Sequence, residues 1–244
     1  MRNQAQTVIE NLEGRRLLTA AVTDGVLTVT ATRRNDHIVV TQEADGSFVV
    51  VSGKKKSAVA EKFAATSVTS IVINAGRGND HIDTTTVKVP VTVNAGAGND
   101  HIYTGHASDI VFGGAGNDIL WSGGGRDKLF GEDGDDAMSG GGSNDSVSGG
   151  AGDDSLDGGS GDDSLSGDDG NDRCDGGKGN DNMRGGGGRD RFAGGTGKDK
   201  FHDFSKKDRG RDRDDADDAK LPSEDDDGTT DQGGDNDDNT AVVT

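Results

Sequence analysis

The chain has 244 residues, of which 29% are apolar and 4% aromatic, and it carries a formal net charge of −19. Globular domains usually hold roughly 45–50% apolar residues, so ordinary core burial cannot offset the conformational entropy of this chain; another source of stability is needed, or it stays unfolded. The sequence offers no basic patch to meet phosphates, which excludes nucleic acid as a partner, and no run approaches the roughly 18 apolar residues of a membrane span.

The acidity is unevenly placed. Residues 1–94 carry nine acids and 11 bases, residues 95–202 carry 21 and nine, and residues 203–244 carry 15 and six. Bound cations would both stabilise the middle of the chain and neutralise its repulsion. The single cysteine, Cys174, permits no intrachain disulfide.

At the N-terminus, MRNQAQTVIENL (1–12) is mostly polar and the apolar stretch at Leu17 and Leu18 is short, so the pattern of a cleavable secretory signal is missing. The next stretch, NLEGRRLLTA (11–20), resembles the LEPR-XLL segment of large bacterial surface and secreted proteins. Leu12-Glu13-Gly14-Arg15 and Arg16-Leu17-Leu18 match, with Gly14 in the place of proline. That resemblance implies a cell-surface or exported location, and residues 1–21 are otherwise expected to be disordered.

Residues 22–94 are expected to form a β-strand cap. VLTVTAT (26–32), HIVVTQ (37–42), SFVVVS (47–52) and SVTSIVIN (67–74) alternate or run in β-branched residues and predict strands. Asp45-Gly46 predicts a turn between two of them. RRNDHI (33–38) has the core of a repeat without its leading glycines, and its Asp36 is left out of the expected ligand set. AGRGNDHID (75–83) is a fuller match; its Asp80 would stack beneath Asp100 if TTTVKVPVTVN (84–94) bulged by two residues.

From Ala95 to His202 the chain divides into twelve nonapeptides without insertion or deletion, such as GGAGNDILW (113–121) and GGKGNDNMR (176–184). Position six is aspartate throughout: Asp100, Asp109, Asp118, Asp127, Asp136, Asp145, Asp154, Asp163, Asp172, Asp181, Asp190 and Asp199. Position eight is apolar throughout, and positions two and four are glycine in ten of twelve repeats each. Glycine permits left-handed backbone, so the loop can curl and turn its carbonyls toward one point. Carboxylate and carbonyl oxygens are the hard donors of calcium, which takes six to eight oxygens at about 2.3–2.6 Å.

The last three residues of each repeat predict a short strand with its middle side chain inward. One apolar residue per nine is too thin a core alone, but stacking makes it a continuous ladder between two sheets. Two repeats make one coil of about 18 residues, so repeats i and i+2 stack. Ions would lie between stacked loops, about ten in all, in a rod about 29 Å long. The expected ligands are Asp80 and the twelve aspartates of the array.

The pattern G-G-x-G-x-D-x-U-x resembles the nonapeptide of the RTX (hemolysin-type) repeat proteins. The resemblance implies an all-β, right-handed parallel β-roll, Ca2+-dependent folding and export by type I secretion machinery. Two repeats depart from it at position four, with Ala107 and Ser143. Both positions tolerate a small residue if the local φ stays negative, and both are expected to sit beside weaker ions. Arg126, Arg189 and Lys198 at position five are expected to lower affinity locally or balance charge.

Beyond Phe204 the chain is charged and predicts a disordered acidic tail, residues 203–244, ending in Ala241-Val242-Val243-Thr244. That ending loosely resembles an RTX secretion signal. No H-E-x-x-H or G-x-S-x-G motif occurs, so no enzyme is expected. Cys174 fills an inward slot, while Tyr103 and Trp121 point outward. The expected protein is secreted or cell-surface, extracellular and bacterial, binds calcium, and acts structurally or adhesively on a surface or matrix partner. The alternative is an export and folding module, the remnant or partner of a larger enzyme or toxin.

Overall fold

The structure, a computed structural model, describes residues 7–8, 18–53, 59–64, 68–202 and 209–211. Strands are the regular structure of these residues, arranged as two eleven-stranded sheets, and no helix long and apolar enough to cross a membrane occurs among them.

The first sheet begins with β1 (Thr7–Val8), antiparallel to β2 (Thr19–Thr23), which turns at Asp24–Gly25 into β3 (Val26–Thr30). Both turn residues are left-handed, with φ of 50° and 84°, the two-residue hairpin geometry that Asp-Gly suits. Alternation along β3 turns Leu27 and Val29 inward. The second sheet begins with the antiparallel strands β4 (His37–Gln42), β5 (Phe48–Ser52) and β6 (Val59–Phe63). The turn expected at Asp45–Gly46 is there: Gly46 has φ 80° and its N–H donates to the Glu43 carbonyl at 2.9 Å.

β3 and β4 are also the first coil of the solenoid. β3 pairs in parallel with β7 (Ser70–Arg77) and β4 with β8 (His81–Asp83), each 44 residues further on. The region before the array is therefore continuous with the roll. β5 and β6 extend the second sheet past this coil, and β1 and β2 extend the first.

The offset between coils then shortens. β9 (Val91–Ala97) stacks on β7 and β10 (His101–Tyr103) on β8, 20 residues apart. The two extra residues lie in the turn 84–90, where Thr84 and Val87 are buried. From here every parallel pairing steps by 18. The first sheet continues with β11 (Ile110–Ala115), β13 (Lys128–Asp133), β15 (Ser146–Ala151), β17 (Ser164–Asp169), β19 (Asn182–Gly187) and β21 (Lys200–His202). The second continues with β12 (Ile119–Trp121), β14 (Ala137–Gly142), β16 (Ser155–Ser160), β18 (Arg173–Lys178), β20 (Arg191–Thr196) and β22 (Arg209–Arg211). The chain is thus an all-β parallel solenoid with about 18 residues per turn.

β10 and β12 have the expected three residues, but β11 and β13 through β20 have six. These longer strands run on into the first three positions of the next repeat, where pairs such as Gly150 with Asp168 continue the ladder. Position eight points inward as expected: Ile102, Val111, Leu120, Leu129, Met138, Val147, Leu156, Leu165, Cys174, Met183 and Phe192 are buried, and Phe201 is partly so. The first coils bury more per strand, for example Ile71, Ile73 and Ala75 on β7. Of the segments expected to be disordered, residues 1–21 contain β1 and part of β2, and residues 203–244 contain β22. The LEPR-XLL-like residues 12–17, the rest of the acidic tail and its ending lie outside the described residues.

Candidate metal centre

The aspartates occupy the turns between the two sheets. Each directly precedes a strand, so its side chain turns into the roll while the following residue turns out. One turn column holds Asp36, Asp80, Asp100, Asp118, Asp136, Asp154, Asp172 and Asp190. The other holds Asp109, Asp127, Asp145, Asp163, Asp181 and Asp199. Within each column, Oδ1 of one aspartate accepts the backbone N–H of the aspartate one coil earlier, at 2.6–2.9 Å. The second column starts on Val91, whose N–H donates to Asp109 at 2.8 Å.

All thirteen aspartates singled out in the sequence therefore fall in these two columns. Asp36, which was left out, heads the first. Its sequence lacks the leading glycines, but its backbone sits in register with Asp80. Its Oδ2 accepts the N–H and the hydroxyl of Thr32 at 2.8 and 2.7 Å.

The remaining oxygens are in a different state. Oδ2 of Asp80, Asp100, Asp118, Asp136, Asp145, Asp154, Asp163, Asp172 and Asp181 is buried and accepts no hydrogen bond. Desolvation pushes the carboxyls of Asp80, Asp118, Asp136, Asp145, Asp154, Asp172 and Asp181 up to about 7. It takes Asp127 to about 6 and raises Asp100, Asp109 and Asp163. Repulsion from a neighbouring column aspartate adds to the rise at most of these, as Asp118 does at Asp136. Buried carboxylates without donors must either take up protons or face a cation.

The donor set suits a hard cation. Among the described residues no three His, Cys, Asp or Glu side chains converge on one point, so further ligands would be main-chain carbonyls. The loops bring these close to the carboxylates: a Cβ on Gly131 would lie 2.2 Å from Asp136 Oδ2 and 2.5 Å from the Gly149 carbonyl oxygen of the next coil. Position one has a role not foreseen from sequence. There the glycine lies against its own repeat's carboxylate, and a Cβ on Gly149 would stand 2.2 Å from Asp154 Oδ2. Glycine at this position leaves the space around the carboxylate open. Four early repeats carry Ala75, Ala95, Thr104 and Ser122 there instead, all buried. The Thr104 and Ser122 hydroxyls partly offset the burial of Asp109 and Asp127.

Position five carries a second ladder. Asn79 N–H donates to Asn35 Oδ1, Asn117 to Asn99, Asp153 to Asp135 and Asn180 to Asp162, each one coil apart, at 2.8–3.2 Å. The prevalence of Asn and Asp at this position was the available signal. Arg126, Arg189 and Lys198 have no side-chain acceptor to continue it. Outside repeat 104–112, positions two and four are left-handed, with φ of 110° and 125° at Gly114 and Gly116. Ala107 meets the condition of a negative φ, but Ser143 does not. It has φ 79°, and Glu132 and Asp168 at position two have φ 77° and 72°. Stacking on the coil below dictates the backbone here, so these side chains take the left-handed conformation despite its cost.

The family model of the RTX calcium-binding nonapeptide repeat (four copies) matches residues 92–120, 113–147, 139–174, 148–183 and 166–201. Residues 92–201 belong to the RTX calcium-binding repeat family. Comparison with curated proteins and with solved structures gave no match. The RTX assignment agrees with the geometry of the turns, since the repeats that match are those whose aspartates stack every 18 residues. It makes calcium the ion of this array. The two coils before residue 92, with Asp36 and Asp80, continue the first column outside the matched segment.

Proposed function

We propose that this chain is a secreted or cell-surface protein whose roll folds on calcium outside the cell, with Asp80 and the twelve array aspartates as side-chain ligands. The observation that carries this reading is the run of buried Oδ2 atoms without hydrogen-bond donors. Two carboxylates one coil apart, roughly 5 Å, repel by about 3 kcal/mol at an effective dielectric of 20. That cost recurs at each rung, against one inward apolar side chain per repeat. When bound, calcium supplies the opposing charge and accepts the carboxylate and carbonyl oxygens.

In cytosol, where calcium is scarce, the columns repel and the chain stays expanded, which suits passage through type I secretion machinery. Extracellular modules commonly bind calcium at about 10⁻⁴–10⁻³ M, and binding free energy then becomes folding free energy. About ten ions would fit between the stacked loops. The folded rod is proposed to act structurally or adhesively rather than as a catalyst, because the only family found is a calcium-binding repeat.

Circular dichroism of the full chain during calcium titration tests the switch. Strand signal should appear with calcium; signal already complete in excess chelator would overturn it. Assay of medium, surface and cytosolic fractions tests the location, and a calcium-dependent pull-down on isolated cell envelope tests the adhesive role.

A further inference from the structure

Three of the five histidines stand in one line on the outer face of the second sheet. His37 on β4, His81 on β8 and His101 on β10 are register partners on adjacent parallel strands. The rings of His37 and His81 stack with centroids 4.7 Å apart and planes 29° apart. His81 and His101 meet edge to face at 6.4 Å. Each histidine directly follows a column aspartate, so the pleat that buries the carboxylate turns the imidazole outward. His37 and His81 are half-buried and His101 is exposed. The Tyr103 ring lies 5.6 Å from His81, and Trp121 lies 5.7 Å from Tyr103.

This line has the wrong chemistry for calcium and the right chemistry for a softer ion. Calcium prefers oxygen, whereas neutral imidazole suits zinc, copper and nickel. Metal–imidazole bonds of about 2.0–2.1 Å bring two nitrogens on one ion within roughly 4 Å of each other. Neighbouring strands are about 4.8 Å apart, so side-chain rotation on an open face is enough to close one pair around an ion. Asp83, two residues after His81, lies on the same face of the strand and adds negative charge beside it. The rings as they stand do not converge three to a point, so one adjacent pair would hold the ion, with water completing its shell.

We propose that the His37–His81–His101 ladder is a transition-metal site, binding a divalent ion of the copper or zinc class through neighbouring imidazoles, separate from the calcium columns. It belongs to the outer surface of the first coils and goes beyond the calcium-dependent reading above.

Trp121 is the only tryptophan and sits at the end of this line of rings, so it serves as the reporter. Cupric chloride is titrated into the full chain held in excess calcium, and tryptophan fluorescence is followed. The expected result is a saturable quench that a large molar excess of zinc relieves, copper being the tighter-bound ion. H81N should abolish it, and the double variant H37N/H101N, which leaves His81 without an imidazole neighbour, should abolish it too. H106N, in an exposed turn of another part of the surface, should leave it intact. Circular dichroism in calcium confirms that each variant keeps its strands, and the double variant decides the matter if H81N does not fold. No saturable quench in the parent chain, or an unchanged quench in a folded H81N or H37N/H101N, would overturn the proposal.

Discussion

Replacing Gly152 by alanine tests whether the coils interlock as tightly as the stacking requires. Gly152 holds position four with φ 135°, and a Cβ there would lie 2.2 Å from the Gly134 carbonyl oxygen and 2.5 Å from its carbon. Ordinary contact starts near 3.4 Å, so the backbones of two coils must part by about 1.2 Å where sheets hold them roughly 4.8 Å apart. Both atoms are main chain, and no flexible side chain can give way. The left-handed backbone costs an alanine about 1–2 kcal/mol, and forced overpacking typically adds about 1–3 kcal/mol.

The expected loss is therefore roughly 2–5 kcal/mol, which in a domain of this size lowers the melting temperature by roughly 4–20 °C. Gly142 is the matched control. A Cβ there would first meet Ser160 Oγ at 3.6 Å and the Gly123 carbonyl oxygen at 3.8 Å, so G142A should stay within about 0.5 kcal/mol of the parent. Melting of the three proteins in saturating calcium, followed by circular dichroism, reads the difference. Equal melting of G152A and G142A would refute the interlocking of the coils at position four.

Further outcomes follow from the same geometry. Carboxyls raised from 3.8 to about 7 in the fold, such as Asp118 and Asp154, hold protons that the unfolded chain releases. Their contribution is fully present below about 3.8 and is lost as pH rises through about 7, so acid should partly replace calcium. Strand signal in calcium-free buffer should increase from pH 8 to pH 4, and a flat or falling signal would contradict this. Ser143→Gly removes the penalty of a left-handed non-glycine and should stabilise the roll by about 1 kcal/mol, read by urea unfolding in calcium. Asp168→Gly should gain less, because it also removes the bonds that Ser148 and Ser166 donate to the carboxylate at 2.5 and 2.7 Å. The Cys174 thiol is buried and pushed up to about 12 by that burial, so thiol reagents should label it in chelator and not in calcium; equal labelling in both would argue against calcium-dependent closure. Phe48→Ala, which empties a fully buried site on the strands that precede the first coil in the sheet, should cost about 3–5 kcal/mol, measured as a lower melting temperature in calcium.

Much of the molecule was legible in the sequence because the repeat is local. An aspartate every nine residues and an apolar residue two places later specify which side chain enters the roll and which oxygen faces the turn, and the 18-residue coil follows from pairing two such units. The thirteen aspartates named from this pattern all fall in the two columns. The sequence alone does not reveal contacts between coils, since these depend on backbone placed by a neighbour 18, 20 or 44 residues away. Asp36 entered the first column although its repeat lacks glycine, because the pairing of β4 with β8 sets its backbone and Thr32 supplies its second oxygen with donors. Ser143 took positive φ because the coil beneath dictates the turn. Position one proved to be a space kept beside a carboxylate. The line of His37, His81 and His101 exists only because coils of unequal length bring three distant histidines onto one face. The periodicity determined the solenoid and the aspartates that line its turns, and the stacking decided the length of the columns, the strained turns and the outer surface.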